Sequence, residues 1–438
     1  MAIKPQDMAN AIRFLSVDAI DRANSGHPGI ALGMADVATV LFTEFLKFDP
    51  KHPKWSDRDR FVLSAGHGSM LLYSILYLTG YEDISIDDIK NFRQLGAKTA
   101  GHPEIGRLAG VEASTGPLAQ GLGMSVGMAL AEKILSHRFG SDIVDHYTYV
   151  LSSDGCLMEG LSHEAISLAG HLKLNKLIVF WDNNYITIDG KTDLSTSTDQ
   201  IARFKASGWN TIEIDGHNYD QIATAIAKAQ KSDRPTMISC KTIIGYGAPT
   251  KQGTEKCHGT ALGEEETAAM RKKLGWTAEP FVVPEDILSA WRKAGARGAK
   301  DYSVWQARFA RLDEKVKADF TRQVIKGKLP SDWNKTINTT KAEVLTKREP
   351  LATRNSLNFA LAKTLPYIPE IIGGSADLSE SNGVLVKDYH EDLTANNYGG
   401  NFIHYGVREH VMGTCMNGML LHGGVIPFVA TFFAFMDY

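Results

Sequence analysis

The chain carries helical and strand-like hydrophobic patterns in a regular alternation. Between residues 8 and 23, Ala11, Ile12, Leu15, Val17, Ala19 and Ile20 recur at roughly helical spacing, and the run breaks at Ser25-Gly26-His27-Pro28-Gly29. A second helix is expected from about Ile30 to Leu46. From Tyr147 to Thr242 apolar runs at Tyr147–Ser152, Leu177–Trp181, Thr211–Ile214 and Thr236–Ser239 read as strands. Helical stretches at Glu159–Leu172 and Tyr219–Ala229 separate them. Strand-helix-strand repetition predicts an α/β fold with doubly wound parallel sheets, in which ligands bind beyond the C-terminal strand ends.

Past Trp276 the pattern becomes charged and helical as far as Pro330 and Asp332, and from about Thr353 a second α/β pattern begins. It holds a helix through Asn358 to Leu365, then strands at Glu370–Gly373, Asn401–Tyr405 and Val425–Ala430. The expected division is a first domain at 1–320, a linker at 321–352 and a second domain at 353–438. The last of these stops in an aromatic passage at Tyr438 and reads as truncated.

Composition narrows the function classes. With 47 basic and 50 acidic residues the net charge is -3, which leaves no electrostatic footprint for nucleic acid or an anionic membrane surface. The start of the chain has no basic region followed by an apolar core, and no stretch approaches membrane-spanning length, so a cytoplasmic protein is expected. Four cysteines without a CxxC pair read as reduced thiols. Cys257 beside His258 is a poor nucleophile-base pair, because adjacent residues seldom face each other.

Candidate chemistry clusters at turns. Ser152-Ser153-Asp154-Gly155-Cys156 follows one strand, and Asp182-Asn183-Asn184 follows the next, about thirty residues on. Asp and Asn oxygens at two strand ends suit a hard cation that would orient a diphosphate, although each turn alone also fits a surface turn. Four histidines, His27, His67, His102 and His258, sit at glycine or proline turns without metal-ligand spacing. They read as hydrogen-bonding or proton-transfer groups on a polar ligand. The stretch from Gly116 to Gly127 lacks a preceding apolar strand and has one residue too many for a dinucleotide fingerprint. It reads instead as a turn into a closely packed helix. Glu409, in Tyr405-Gly406-Val407-Arg408-Glu409-His410, opens an apolar, glycine-containing helix. It fits either a dipole-complementing carboxylate or a functional one.

Taken together, these segments resemble transketolase, within the thiamine diphosphate enzymes, from the first helix to the last residue. The resemblance implies the thiamine diphosphate-binding fold and a homodimer with the site between subunits. It implies reversible transfer of a two-carbon ketol unit from a ketose phosphate to an aldose phosphate through a thiamine diphosphate ylid. By resemblance, Asp154, Asn184 and the Ile186 carbonyl hold Mg²⁺ (or Ca²⁺ or Mn²⁺), His67 and Gly155 meet the diphosphate, and Gly116 and Leu118 meet the rings. His258 serves both phosphate and substrate, His27 and His102 meet the sugar, and Arg354 and Ser381 bind its phosphate. Asp377 lies near the thiazolium, Phe432, Phe435 and Tyr438 form the aminopyrimidine pocket, and Glu409 activates the cofactor. Glu159 and Glu164 match carboxylates that couple the two sites of a dimer. Ser153 and Tyr185 depart from the glycines common at their positions. Rival readings are dihydroxyacetone synthase, a phosphoketolase-like enzyme, an inactive fragment and, more distantly, a nicotinamide dehydrogenase.

Overall fold

The computed structural model describes residues 3–437. These residues form two compact units, one made of 3–125 with 146–305 and the other of 126–145 with 306–437. No helix among the described residues is long and apolar enough to cross a membrane.

The first unit is built on a five-stranded sheet of β1 (Arg60–Leu63), β2 (Thr148–Ser153), β3 (Leu177–Asn183), β4 (Asn210–Asp215) and β5 (Thr236–Lys241). The strands lie in the order β1-β2-β3-β5-β4, and every pairing is parallel. Helices on the sheet faces bury the central strands, which is why β2 and β3 read as unbroken apolar runs rather than alternating ones. Edge strand β4 is partly exposed and carries Asn, Glu and Asp among its apolar residues. Strand β1 is not expected from the sequence: it is four residues long and opens on Arg60. The guanidinium of Arg60 is buried and donates to backbone carbonyls of Ser56 and Arg58, so a charged residue occupies a core strand.

The helix expected over 30–46 is broken into Pro28–Gly33, Ala35–Val40 and a π-turn at Leu41–Phe45. Met34, with φ -95° and ψ 5°, marks the break, and Gly33 beside it lies where the Ile243 carbonyl comes within 3.2 Å of the position a Cβ would take. Glycine's low helix propensity and this close approach favour a joint over a continuous helix.

The second unit carries a three-stranded parallel sheet of β6 (Ile371–Ser375), β7 (Phe402–His404) and β8 (Ile426–Ala430), in the order β7-β6-β8. Its small core includes Leu361, Val384, Val386 and Phe402. Within the stretch expected as a linker, Trp333–Lys347 forms a helix with no buried residue. The glycine-rich helix Gln120–Phe139 packs as closely as its sequence suggests. A Cβ on Gly121 would lie 2.6 Å from the Ser64 Cα, and one on Gly127 would lie 2.0 Å from the Cys415 carbonyl oxygen. Gly127→Ala is expected to destabilise the protein by about 1–3 kcal/mol, because backbone rather than a flexible side chain stands in the way. Chemical denaturation measures this, and an unchanged midpoint would contradict it.

Candidate active site

Strands β2 and β3 are neighbours in register, with Ser153 opposite Asp182. The residues just beyond these positions, Asp154 and Asn184, therefore emerge side by side at one sheet edge. Ser153 caps the short helix Asp154–Met158, its hydroxyl accepting from the Cys156 N–H at 3.4 Å. A serine in place of glycine thus supplies a cap. Tyr185 adopts a left-handed backbone with φ 63°, a conformation that costs a non-glycine residue about 1–2 kcal/mol, and its side chain is 55 % exposed. Its bulk is directed largely to solvent.

The two turns and three of the four histidines line one cavity of about 250 Å³, which includes His27, His67, Gly116, Leu118, Asp154, Gly155, Asp182, Asn184, Ile186 and His258, whereas His102 lines a second cleft with Arg93. The His27 ring lies 5.2 Å from His67, 5.9 Å from His258 and 6.3 Å from His102, and His67 stacks on His258 at 5.2 Å. His102 is placed by its backbone: the Tyr73 hydroxyl donates to its carbonyl at 3.2 Å, and Ser69 donates to the neighbouring Gly101 carbonyl at 2.9 Å. The two glycines assigned to the cofactor are sterically constrained. A Cβ on Gly116, at φ 153°, would meet the His102 ring at 3.3 Å, and one on Gly155 would meet Leu118 at 2.8 Å.

Burial pushes the His27 imidazole down to about 4 and that of His67 to about 3, with nearby basic groups adding to both shifts. His102 and His258 are lowered for the same first reason. All four are thus neutral at pH 7, each with one ring N–H to donate and one nitrogen to accept. An incoming polyanion would raise these values again.

The carboxylates at the strand ends are shifted the other way. Burial raises Asp154 to about 6, and burial, followed by the charge of Asp154, raises Asp182 to about 7. Asp154 Oδ1 accepts from the Trp181 indole at 3.0 Å, whereas Oδ2 is buried without a hydrogen bond of good geometry, and the backbone N–H groups of Tyr185 and Asn184 face the carboxylate and partly offset the effect of burial. Asp182 accepts from the Thr242 hydroxyl and from the Asn184 amide at 2.9 Å. Asn184 Oδ1 accepts from the Ile186 N–H at 3.0 Å, which leaves it a further lone pair. An orphaned buried carboxylate oxygen beside a second carboxylate and an amide oxygen is an oxygen-only donor set that fits Mg²⁺ or Ca²⁺. Asn183 is turned elsewhere, donating to Ser239 at 3.1 Å inside the sheet. Cys257 is buried, its thiol is raised to about 11, and its sulfur donates to the Thr254 carbonyl at 3.2 Å. These features exclude a thiolate nucleophile at this position.

Asp182 and Arg93 are the polar residues that sequence reasoning did not assign. The Arg93 guanidinium donates to the Ser25 hydroxyl at 2.8 Å and lies 3.4 Å from His27 Nδ1. No spacing rule connects positions 25, 27 and 93. Asp182 was legible as part of an Asp-Asn-Asn turn, but its direction into the cavity was not.

In the second unit the C-terminal strand ends again gather the expected residues. Asp377 follows β6, exposed and at φ 61°. Glu409 follows β7 and opens the helix Glu409–His422, half-buried. Phe432 and Phe435 follow β8 with ring centroids 6.0 Å apart, both still partly exposed. Arg354, Ser381 and Phe432 line one cleft. Tyr438 lies outside the described residues. Glu159 is exposed at the start of the helix Gly160–His171, and Glu164 lies half-buried within it.

Two family models match the chain: transketolase, thiamine diphosphate binding domain, over residues 4–330, and transketolase, pyrimidine binding domain, over 349–438. The chain is 51% identical over 433 residues to a transketolase of Rhodobacter capsulatus, covering 98% of this chain and 64% of that protein. It is 48% identical over 437 residues to one of Sinorhizobium medicae, covering 100% of this chain and 62% of that protein. Among solved structures, a transketolase from Leishmania mexicana superposes with a TM-score of 0.94 at 40% identity, over 100% of this chain and 66% of that one. A Pichia stipitis transketolase in complex with sedoheptulose 7-phosphate superposes with a TM-score of 0.92 at 41% identity, over 99% and 65% of the two chains. The chain therefore spans just under two thirds of the length of these relatives.

Proposed function

We propose, because the chain belongs to the transketolase family, that this protein takes part in the reversible transfer of a two-carbon ketol unit between sugar phosphates. The donor would be a ketose phosphate such as xylulose 5-phosphate, and the acceptor an aldose phosphate such as ribose 5-phosphate or erythrose 4-phosphate. Bound thiamine diphosphate would supply the carbanion and the electron sink for C–C cleavage. The observation that carries this reading is the buried, unpartnered Oδ2 of Asp154 beside Asp182 and Asn184, beneath the histidine cluster.

In this reading Asp154, Asn184 and the Ile186 carbonyl hold Mg²⁺, Ca²⁺ or Mn²⁺. His67, His258 and the backbone at Gly155 meet the diphosphate, while Gly116 and Leu118 bound the rings. Glu409 would accept a hydrogen bond from the protonated ring nitrogen of the cofactor's pyrimidine and so favour its imino tautomer, with Phe432, Phe435 and Tyr438 as the apolar wall and Asp377 near the thiazolium. His27, His102 and His258 hold the sugar hydroxyls and carbonyl and relay protons to them, and Arg354 and Ser381 bind the sugar phosphate. The metal and pyrimidine halves come from different copies in a homodimer, which we place in the cytoplasm. Asp154 and Glu409 each follow a parallel strand at its C-terminal end, which supports their use as ligand-facing groups.

A coupled assay of xylulose 5-phosphate with ribose 5-phosphate tests the proposal. Turnover is expected only when thiamine diphosphate and Mg²⁺ are both present. Turnover independent of the cofactor would overturn it, as would cofactor binding without any transfer by the dimeric protein to either aldose phosphate.

A further inference from the structure

In the second unit two imidazoles and a carboxylate that carry no assigned role converge on the surface. His390 Nε2 and His404 Nε2 each lie 2.9 Å from the same oxygen, Oδ1 of Asp392. The three ligand atoms fall within 4.8 Å of one another, the one such group of His, Cys, Asp or Glu side chains among the described residues. We propose that His390, Asp392 and His404 form a surface site for Zn²⁺ or a similar first-row transition ion, separate from the oxygen-lined cation site of the first unit.

The chemistry of the donors selects the ion. Two imidazole nitrogens and one carboxylate oxygen are the ligand types of three-ligand zinc sites, which complete a tetrahedron with water. Mg²⁺ and Ca²⁺ prefer all-oxygen sets and compete poorly for imidazole. Side-chain exposures of 33%, 52% and 57% leave the open position reachable from solvent.

The scaffold beneath the three side chains is ordered by its own bonds. Asp392 bridges in parallel to Phe402, and the Leu393 N–H donates to the Phe402 carbonyl at 2.7 Å. Asn401 clamps the same loop, its amide donating to the Tyr389 carbonyl at 2.6 Å and its carbonyl accepting from the Glu391 N–H at 3.0 Å. The buried Phe402 ring packs against both imidazoles, edge-on to His390 at 5.0 Å and to His404 at 5.1 Å. Both rings are thereby restricted before any ion arrives, which reduces the ordering cost of binding. Chain separation hides the site from a motif search, since the ligands fall at 390, 392 and 404 without a standard zinc spacing.

Equilibrium dialysis against about 10 μM free Zn²⁺, in excess Mg²⁺ and thiamine diphosphate, counts the ions bound per chain. His390→Gln and Asp392→Asn are each expected to bind one Zn²⁺ fewer than the wild type, with affinity at this site at least ~10-fold weaker, the loss that even outer-shell partners cause. Unchanged thermal melting in the absence of zinc shows that the variants are folded. An unchanged count in both folded variants would overturn the proposal, as would a wild type that binds no ion at this concentration. Anomalous scattering at the zinc edge supplies a second readout: density between His390 and His404 is expected, and density only at the cavity of His27, His67 and His258 would refute the site.

Discussion

Asp154→Asn is expected to abolish Mg²⁺-dependent binding of thiamine diphosphate while making the ligand-free protein more stable. The carboxylate is buried, one of its oxygens has no hydrogen-bond partner, and burial raises it to about 6. A raised carboxylate pKa favours the fold only while the proton is on: that contribution is complete below the unfolded value of about 3.9 and is lost as pH rises through 6. At pH 7 the ligand-free protein therefore carries most of the cost of ionising Asp154. Asn keeps the shape and the contact with Trp181 but removes the charge, relieving about 1–3 kcal/mol and raising the melting temperature by a few degrees. The stability difference between variant and wild type should grow from about pH 4 to about pH 7, following the raised pKa. The same change removes the anionic oxygen proposed as the cation's ligand, so calorimetry should show the cofactor's dissociation constant in Mg²⁺ rising by at least ~100-fold. Cofactor binding within tenfold of wild type would sink the metal assignment. A variant less stable than the wild type would instead show that Asp154 is already satisfied without an ion.

Glu409→Gln should separate binding from turnover. The side chain opens the helix after β7, half-buried, at the strand-end edge that also carries Asp377 and the Phe432–Phe435 pair. If its carboxylate accepts a hydrogen bond from the protonated ring nitrogen of the pyrimidine, an amide of the same size cannot stabilise that proton and keeps the packing. The kcat is then expected to fall by about 10²–10⁴-fold, the range for a positioned general acid or base. Cofactor affinity in Mg²⁺ should stay within about tenfold, because its anchoring oxygens lie in the other unit. The competing explanation is a carboxylate that merely complements the helix dipole, which contributes about 0.3–1 kcal/mol to stability. That role predicts a small drop in melting temperature with kcat nearly intact. Steady-state kinetics beside a thermal melt distinguishes the two.

The fold was legible where its signals are local. Strands β2, β3, β4 and β5 lie within one or two residues of their expected positions; for β2, β3 and β5 the reason is that central strands of a parallel sheet are buried on both faces and read as apolar runs. Strand β1 escaped because its first residue is an arginine whose charge is satisfied by carbonyls only in the folded chain. The helix over 30–46 was misread as continuous because Gly33 alone does not announce a joint; the nearby Ile243 carbonyl does.

The candidate site divides in the same way. Asp154, Asn184, Glu409 and the four histidines stood out because each is a polar residue at a turn bounded by apolar runs. Nothing local says that they meet. Sequence by itself determined the parallel α/β class, the central strands and the polar turns at their ends, since hydrophobic period, glycine and proline act over a few residues. Tertiary structure alone decided that β2 and β3 are neighbours, and hence that Asp154 and Asn184 share an edge. It also brought Arg93 to His27, left Asp154 Oδ2 without a partner, and set His390 and His404 against one oxygen of Asp392. The physical reason is that burial and distance set electrostatic cost, and both depend on contacts between residues far apart in the chain.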